Sequence, residues 1–271
     1  MKHNNRYNMA RKARVRAKSG VYHVMLQGVR NRKLFVDDED ARQFVDIILR
    51  TKEEKPKQEG DKAAKCYTVY AYCLAPVYAH LIIKEEEDSI SMSAARIMAA
   101  YAHYLNNKYD RDGSVYRGRF FSEPIEDDGR FDIVLRYIHQ TPLREQMAER
   151  MDDYLYSSWH EYVGEECDVP AICEIKEEYG KMEAEEIRRL LTSPLPKGTK
   201  CLAPKYVQHR PSDQKVMEDI RRLTGATNVA EYQMLTTALA RQTLIELRKT
   251  GASIRQLERL TGYGRGVIQG L

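Results

Sequence analysis

Cys66 to Lys84 reads CYTVYAYCLAPVYAHLIIK. Two β-rich runs, Cys66 to Leu74 and Ala79 to Lys84, flank a turn at Pro76 and predict two consecutive strands. Upstream, Val21 to Gly28 (VYHVMLQG) alternates and is a third strand. Between them Asp37-Asp38 precede DEDARQFVDIILR, where Phe44, Ile47 and Ile48 recur at helical spacing behind acidic caps. Residues 51–65 are a charged loop. Downstream, Ser89 to Lys108 predicts a helix carrying Ile97, Met98, Tyr101, Tyr104 and Leu105. Val115 to Ile125 is strand or extended loop. Asp127-Asp128 open a further helix with Phe131, Val134, Leu135 and Ile138 on one face, ended by Pro142. The order β-α-β-β-α with another strand and helix predicts an α+β fold, a small antiparallel sheet of ferredoxin-like type.

The 271 residues carry 44 Lys and Arg against 40 Asp and Glu, a formal charge of +4, with 42% hydrophobic and 31% charged residues. That composition suits a soluble globular chain and excludes a disordered or fibrous one. The longest apolar stretch, Leu74 to Ile83, is broken by Pro76, Tyr78 and His80, too short for a spanning helix, so no membrane is expected. The basic N-terminus has no apolar segment after it and is not a secretory signal. The five cysteines include no C-x-x-C, which predicts neither a disulfide framework nor a zinc knuckle, and a cytoplasmic location. The small net charge is a cancellation. Residues 1–33 hold ten basic groups and no acid, and residues 205–271 hold eleven basic and six acidic, leaving the stretch between them at −11. Basic ends attract phosphate backbones, although Met1 to Lys18 also reads as a plain basic tail.

Beyond Gly164 the strand pattern stops. Glu165 to Leu191 is acidic and predicted helical, and Ser193 to Pro211, with four prolines and no periodicity, is a linker. Helices are then predicted over Asp213 to Leu223 and Val229 to Lys249. In SIRQLERLTGYGRGVIQ (253–269), Ser253 caps a helix carrying Ile254, Leu257 and Leu260, Gly262 supplies a turn, and Val267 and Ile268 anchor a second helix. This is helix-turn-helix spacing, with Arg255, Arg259 and Arg265 placed to reach duplex DNA; a purely structural helical hairpin shows the same spacing.

Several longer motifs occur in one order: YHVMLQG (22–28), FVDDEDARQF (35–44), VYAYCLAPVYAHLII (69–83), Tyr101-x-x-Tyr104-x-Asn106, Gly118-Arg119-Phe120, RYIHQTP (136–142) and YSSWHEYVG (156–164). Together they resemble the REP-associated tyrosine transposases, relatives of the single-tyrosine HUH transposases, over roughly residues 10–164. The resemblance divides the chain into a transposase-like domain at 10–164, an acidic helical segment and linker at 165–211, and a helical helix-turn-helix-like domain at 212–271. It implies nicking and rejoining of single-stranded or hairpin DNA: a metal ion on a His-hydrophobic-His pair polarises the scissile phosphate, and a helix-borne tyrosine attacks to leave a 5′-phosphotyrosine and a free 3′-OH. Carried over by motif, the nucleophile is Tyr137 and the expected cofactor is Mg²⁺ or Mn²⁺. A tyrosine packed at a helix edge is the alternative for Tyr137. Oligomeric state varies in the family, leaving a homodimer open.

The metal motif departs from the family. Where Pro-Asn-His-hydrophobic-His is expected, the chain reads Pro76-Val77-Tyr78-Ala79-His80. Positions 78 and 80 share one face of a strand, so a bulky phenol stands where an imidazole is expected. Four residues after Tyr137, in place of a polar amide, stands Thr141. His139 lies about 200° round the helix from Tyr137 and points elsewhere. Arg117 and Arg119, interleaved with Tyr116 and Phe120, suit phosphate contact with base stacking, and Arg136 adjoins Tyr137. The resemblance, with these departures from it, implies a transposase-like DNA-binding protein whose cleavage chemistry is impaired, or a domesticated DNA-binding regulator without it.

Overall fold

A computed structural model describes residues 14–53, 64–204 and 211–271. The basic residues Lys2, Arg6, Arg11 and Lys12 and most of the charged loop at 51–65 lie outside the described residues. The chain divides into two compact units, Met1–Lys205 and Tyr206–Leu271.

In the first unit, β1 (Val21–Gln27), α1 (Asp38–Thr51), β2 (Tyr67–Ala75), β3 (Tyr78–Glu85), α2 (Ile90–Lys108) and β4 (Phe121–Pro124) follow one another. The strands pair in the order β2-β3-β1-β4, every pair antiparallel. This is the ferredoxin-like arrangement, with β1 and β3 central. All seven residues of β1 are buried, so both sheet faces are covered. Alternation sorts the side chains. Tyr22, Val24, Leu26, Leu81 and Ile83 pack with Phe44, Ile48, Ile97 and Tyr101 of α1 and α2. Val21, Ala71, Cys73 and Ile82 pack on the opposite face with Phe131, Val134, Leu135 and Ile138. These last belong to α3 (Asp128–His139), which Asp127 caps by accepting a hydrogen bond from the Arg130 amide.

Pro142 does not stop the chain's helical course. The expected break falls at Gln140, and a short α4 (Thr141–Arg144) takes Pro142 into its first turn, where a missing amide costs little. After α5 (Trp159–Val163), the helix expected over Glu165–Leu191 forms only in its second half, as α6 (Glu177–Gly180) and α7 (Ala184–Thr192). The first half is held out of helix by other bonds. The Glu161 carboxylate accepts from the Ile172 and Cys173 amides, and the Glu174 amide donates to Val69 on β2. Ile187 and Leu191 of α7 are buried in the α3-side core. None of the five cysteines is in a disulfide among the described residues.

The second unit contains α8 (Asp213–Thr224), α9 (Val229–Gln233), α10 (Thr237–Lys249), α11 (Ile254–Thr261) and α12 (Arg265–Gln269). The single helix expected over Val229–Lys249 is broken because Thr236 caps α10, its hydroxyl accepting from the Leu239 amide. Val216, Ile220, Tyr232, Leu244, Leu257 and Ile268 form the core. Ser253 caps α11, and Gly262 ends it in the left-handed region at φ 73°, where glycine carries no Cβ penalty.

One glycine is dictated by close approach. A Cβ on Gly28 would lie 2.2 Å from the Arg32 carbonyl oxygen. Gly28→Ala is expected to cost more than about 2 kcal/mol, because the obstacle is backbone and cannot swing away. A lowered urea midpoint would show it; an unchanged midpoint would mean the turn after β1 opens freely.

Candidate active site

The site is assembled by strand register. Met25 pairs with His80 and Gln27 with Tyr78 across β1 and β3, so His23, two residues from Met25, shares their face. His23 Nε2 and His80 Nδ1 lie 3.0 Å apart, a hydrogen bond between two fully buried rings. The outer nitrogens, His23 Nδ1 and His80 Nε2, have no partner among the described residues. The Tyr78 ring packs 5.0 Å from that of His80, with Tyr78 itself buried.

Above this pair α3 presents Tyr137, half-buried, its ring 6.0 Å from His23 and 5.6 Å from His80. The Tyr137 hydroxyl donates to the Leu202 carbonyl at 3.0 Å. The Arg144 guanidinium lies 3.8 Å over the Tyr137 ring and donates to the Tyr137 carbonyl (2.7 Å) and to Thr141 Oγ1 (2.8 Å). Thr141 Oγ1 donates in turn to the Tyr137 carbonyl at 3.0 Å. On β4, Glu123 stands opposite His23 and pairs with Arg130 at 3.2 Å.

Burial sets the ionisation here. It holds His23 well below the ordinary imidazole range, helped by His80, Arg130 and Arg144, and brings His80 down to about 3, helped by Arg144. Both rings are neutral at pH 7. Burial raises the Tyr137 phenol, opposed in part by Arg144. His139 is a separate matter. Its Nδ1 bonds the Leu135 carbonyl, its Nε2 bonds Ser158 Oγ, and burial lowers it to about 4.

The donor set does not fit Mg²⁺ or Mn²⁺. These ions prefer oxygen ligands, and beside the Glu123 carboxylate, which Arg130 already engages, the face offers two imidazoles bonded to each other, a phenol, and a threonine hydroxyl engaged in the α3–α4 turn. Arg144 and Arg130 place positive charge beside the histidines, which opposes a further cation. No group of three His, Cys, Asp or Glu able to hold a metal occurs among the described residues.

The structure thus brings together Tyr78, His80, Tyr137 and Thr141, and separates the arginines. Arg136 turns away from Tyr137 to Ser193 Oγ and the Pro194 carbonyl, since adjacent helical positions diverge by about 100°. Arg119 is exposed and Arg117 half-buried. The stacking role expected of Tyr116 and Phe120 is corrected. A bridge from Gly28 to Tyr116 turns this loop inward, Tyr116 and Phe120 are 6% and 8% exposed, and Arg14 covers the Phe120 ring at 3.6 Å. In the second unit Arg259 pairs with Asp213 (2.5 Å) and Arg265 with Glu258 (2.6 Å), while Arg255 is exposed. Sequence reasoning missed His23 and Arg144. His23 lay within a quoted motif, but only register reveals that it meets His80.

A sheet with a helix-borne tyrosine over a buried strand histidine is what the motif order led one to expect of the single-tyrosine transposase class. No family model matches the chain. It is 25% identical over 105 residues to a Haemophilus influenzae protein named "Putative REP-associated tyrosine transposase", covering 35% of this chain and 60% of that protein. Among solved structures it is similar to "Structure of the REP associates tyrosine transposase bound to a REP hairpin", at 16% identity and a TM-score of 0.45, covering 62% of this chain and 93% of that one. In motif order and in its similarity to this curated relative, the chain resembles the REP-associated tyrosine transposases. It spans about 60% of that relative's length.

Proposed function

We propose that the chain is a DNA-binding protein of transposase type in which Tyr137 is the nucleophile of an impaired strand-nicking and rejoining reaction. The carrying observation is the placement of Tyr137 against the His23–His80 pair on the α3 face of the sheet. In the forward step the Tyr137 Oη–P bond forms and the P–O3′ bond breaks, the phenolic proton ending on the 3′ oxygen; reversal rejoins the strand. The chain's own residues supply orientation and charge. Arg144 fixes the Tyr137 ring and holds a guanidinium where a phosphate would approach. Two features hold the reaction back: burial keeps the phenol protonated, and its hydroxyl must first leave the Leu202 carbonyl.

Single-stranded or hairpin DNA is the partner proposed for the first unit and duplex DNA for α11–α12, with Arg255 the residue free to reach it and Arg259 and Arg265 requiring exchange of their internal carboxylates. No helix among the described residues is long and apolar enough to cross a membrane, and we place the protein in the cytoplasm. The reading is tested by binding: affinity for a hairpin-tipped single-stranded oligonucleotide should fall steeply with salt. Absent or salt-insensitive binding would sink it.

A second reading, a domesticated regulator that binds DNA without cutting it, is favoured by Tyr78 packed against His80. Trapping of a Tyr137-linked oligonucleotide separates the two.

A further inference from the structure

Of the three arginines on α11 and α12, two are held by acids of the chain itself. Arg265 pairs with Glu258 of α11, and Arg259 with Asp213 of α8, 46 positions earlier. Arg255 and Arg259 lie four residues apart and so share one face of α11. With Asp213, Ser253 and Gln256 they line a depression of about 430 Å³ that lies wholly within the second unit.

Asp213 is fixed from two sides. Its Oδ2 accepts from the Arg259 guanidinium at 2.5 Å, and its Oδ1 accepts from Gln256 Nε2 at 2.8 Å. Gln256 is 8% exposed, and the same Nε2 donates to the Pro211 carbonyl at 2.7 Å, which holds the amide in place. The Asp213 and Arg259 side chains are themselves 46% and 64% exposed. An ion pair that open to water is weak and screened by salt, so another anion can displace the carboxylate.

The chemistry of the displacing anion follows from the carboxylate. It presents one negative charge on two oxygens to a planar guanidinium, and a backbone phosphodiester presents the same charge on two unbridged oxygens. Guanidinium groups take both in the same forked geometry.

We propose that Asp213 is an internal stand-in for a DNA backbone phosphate: it occupies the phosphate position on Arg259 and Gln256, and a duplex must displace it to bind the second unit. The inference rests on the duplex-binding reading of α11–α12 above and names the residue that regulates that surface. Because Asp213 belongs to the same fold, it stays at high effective concentration and reclaims Arg259 when the duplex leaves. The second unit is thereby set to hold duplex DNA weakly and to release it readily.

The test measures fluorescence anisotropy of a labelled blunt duplex with the full chain and its variants. Asp213→Asn should tighten duplex binding on the order of 10-fold, with the largest gain at low salt. Asparagine keeps an oxygen for the Gln256 amide, and Ser212 caps α8 independently by accepting from the Lys215 amide at 3.1 Å. Asp213→Ser, which also removes the charge, should tighten binding too. Adding Arg259→Gln to either variant should erase the gain. Asp219→Asn removes the same charge from α8, but Asp219 is paired with Arg222 and Lys215, so its affinity should match the parent. Unchanged or weaker duplex binding by both Asp213 variants, a gain that survives Arg259→Gln, or an equal gain from Asp219→Asn would overturn the assignment. A labelled hairpin-tipped single strand keeps the two readings apart. Hairpin binding without an Asp213 effect on the duplex removes this assignment alone, whereas a chain that binds neither DNA removes the proposed function with it.

Discussion

Tyr78→His combined with Thr141→Asn is expected to raise Mn²⁺-dependent nicking of a hairpin-tipped single strand above the unmodified chain by on the order of 100-fold, the scale of one pre-organised electrostatic contact at a transition state. Adding Tyr137→Phe to that variant should abolish the gain. Position 78 faces the same side as His80, so an imidazole there supplies a second nitrogen, and an asparagine at 141 reaches further than the threonine hydroxyl now spent on the Tyr137 carbonyl and Arg144. His23 matters to the outcome. If His80 Nδ1–H donates to His23 Nε2, the unpartnered His80 Nε2 carries its lone pair outward, ready for a ligand; the opposite tautomer blocks it. Vigorous nicking by the unmodified chain, or gain surviving Tyr137→Phe, would show that the donor-set argument or the nucleophile assignment is wrong.

Acid is expected to unfold the first unit well before the carboxylates titrate. His23, His80 and His139 are fully buried and neutral, with folded-state values depressed, to about 3 for His80 and about 4 for His139. The sign follows from linkage. A depressed histidine favours the neutral form in the fold, so its stability contribution is intact above the unfolded value near 6.5. It is lost as pH falls below that, because only the unfolded chain takes up the proton. Each histidine then removes up to about 1.4 kcal/mol per pH unit, or about 4 kcal/mol per unit for the three together. Against a typical domain stability of about 5–15 kcal/mol, unfolding should set in near pH 5. No described residue of the second unit is a histidine, so its helices should persist there. Urea titrations at pH 7.5, 6.0 and 5.0 check this; equal unfolding free energies at 7.5 and 5.0 would refute it.

Much of the sheet was legible because both periodicities were strong. The VYHVMLQG strand, the Pro76 hairpin and the helix under Phe131 to Ile138 each carry a local signal that burial then exploits. Misreadings fell where a distant group competed with a local pattern. Glu161 captures two amides of a segment that looks helical, and the bridge at Gly28 buries the two aromatics that looked available to DNA.

By itself the sequence determined the strand and helix order, the position of Tyr137 on a helix, and the replacement of an expected imidazole by Tyr78. The first two follow from residue type and spacing within a few turns of chain, and the third from the family resemblance of the motifs. Only the tertiary structure decided that His23 meets His80 from 57 residues away, that Arg144 rather than Arg136 lies over Tyr137, and that Asp213 reaches Arg259 from another helix. Strand register and helix packing set those contacts, and both are properties of elements brought together, which no local window of sequence contains.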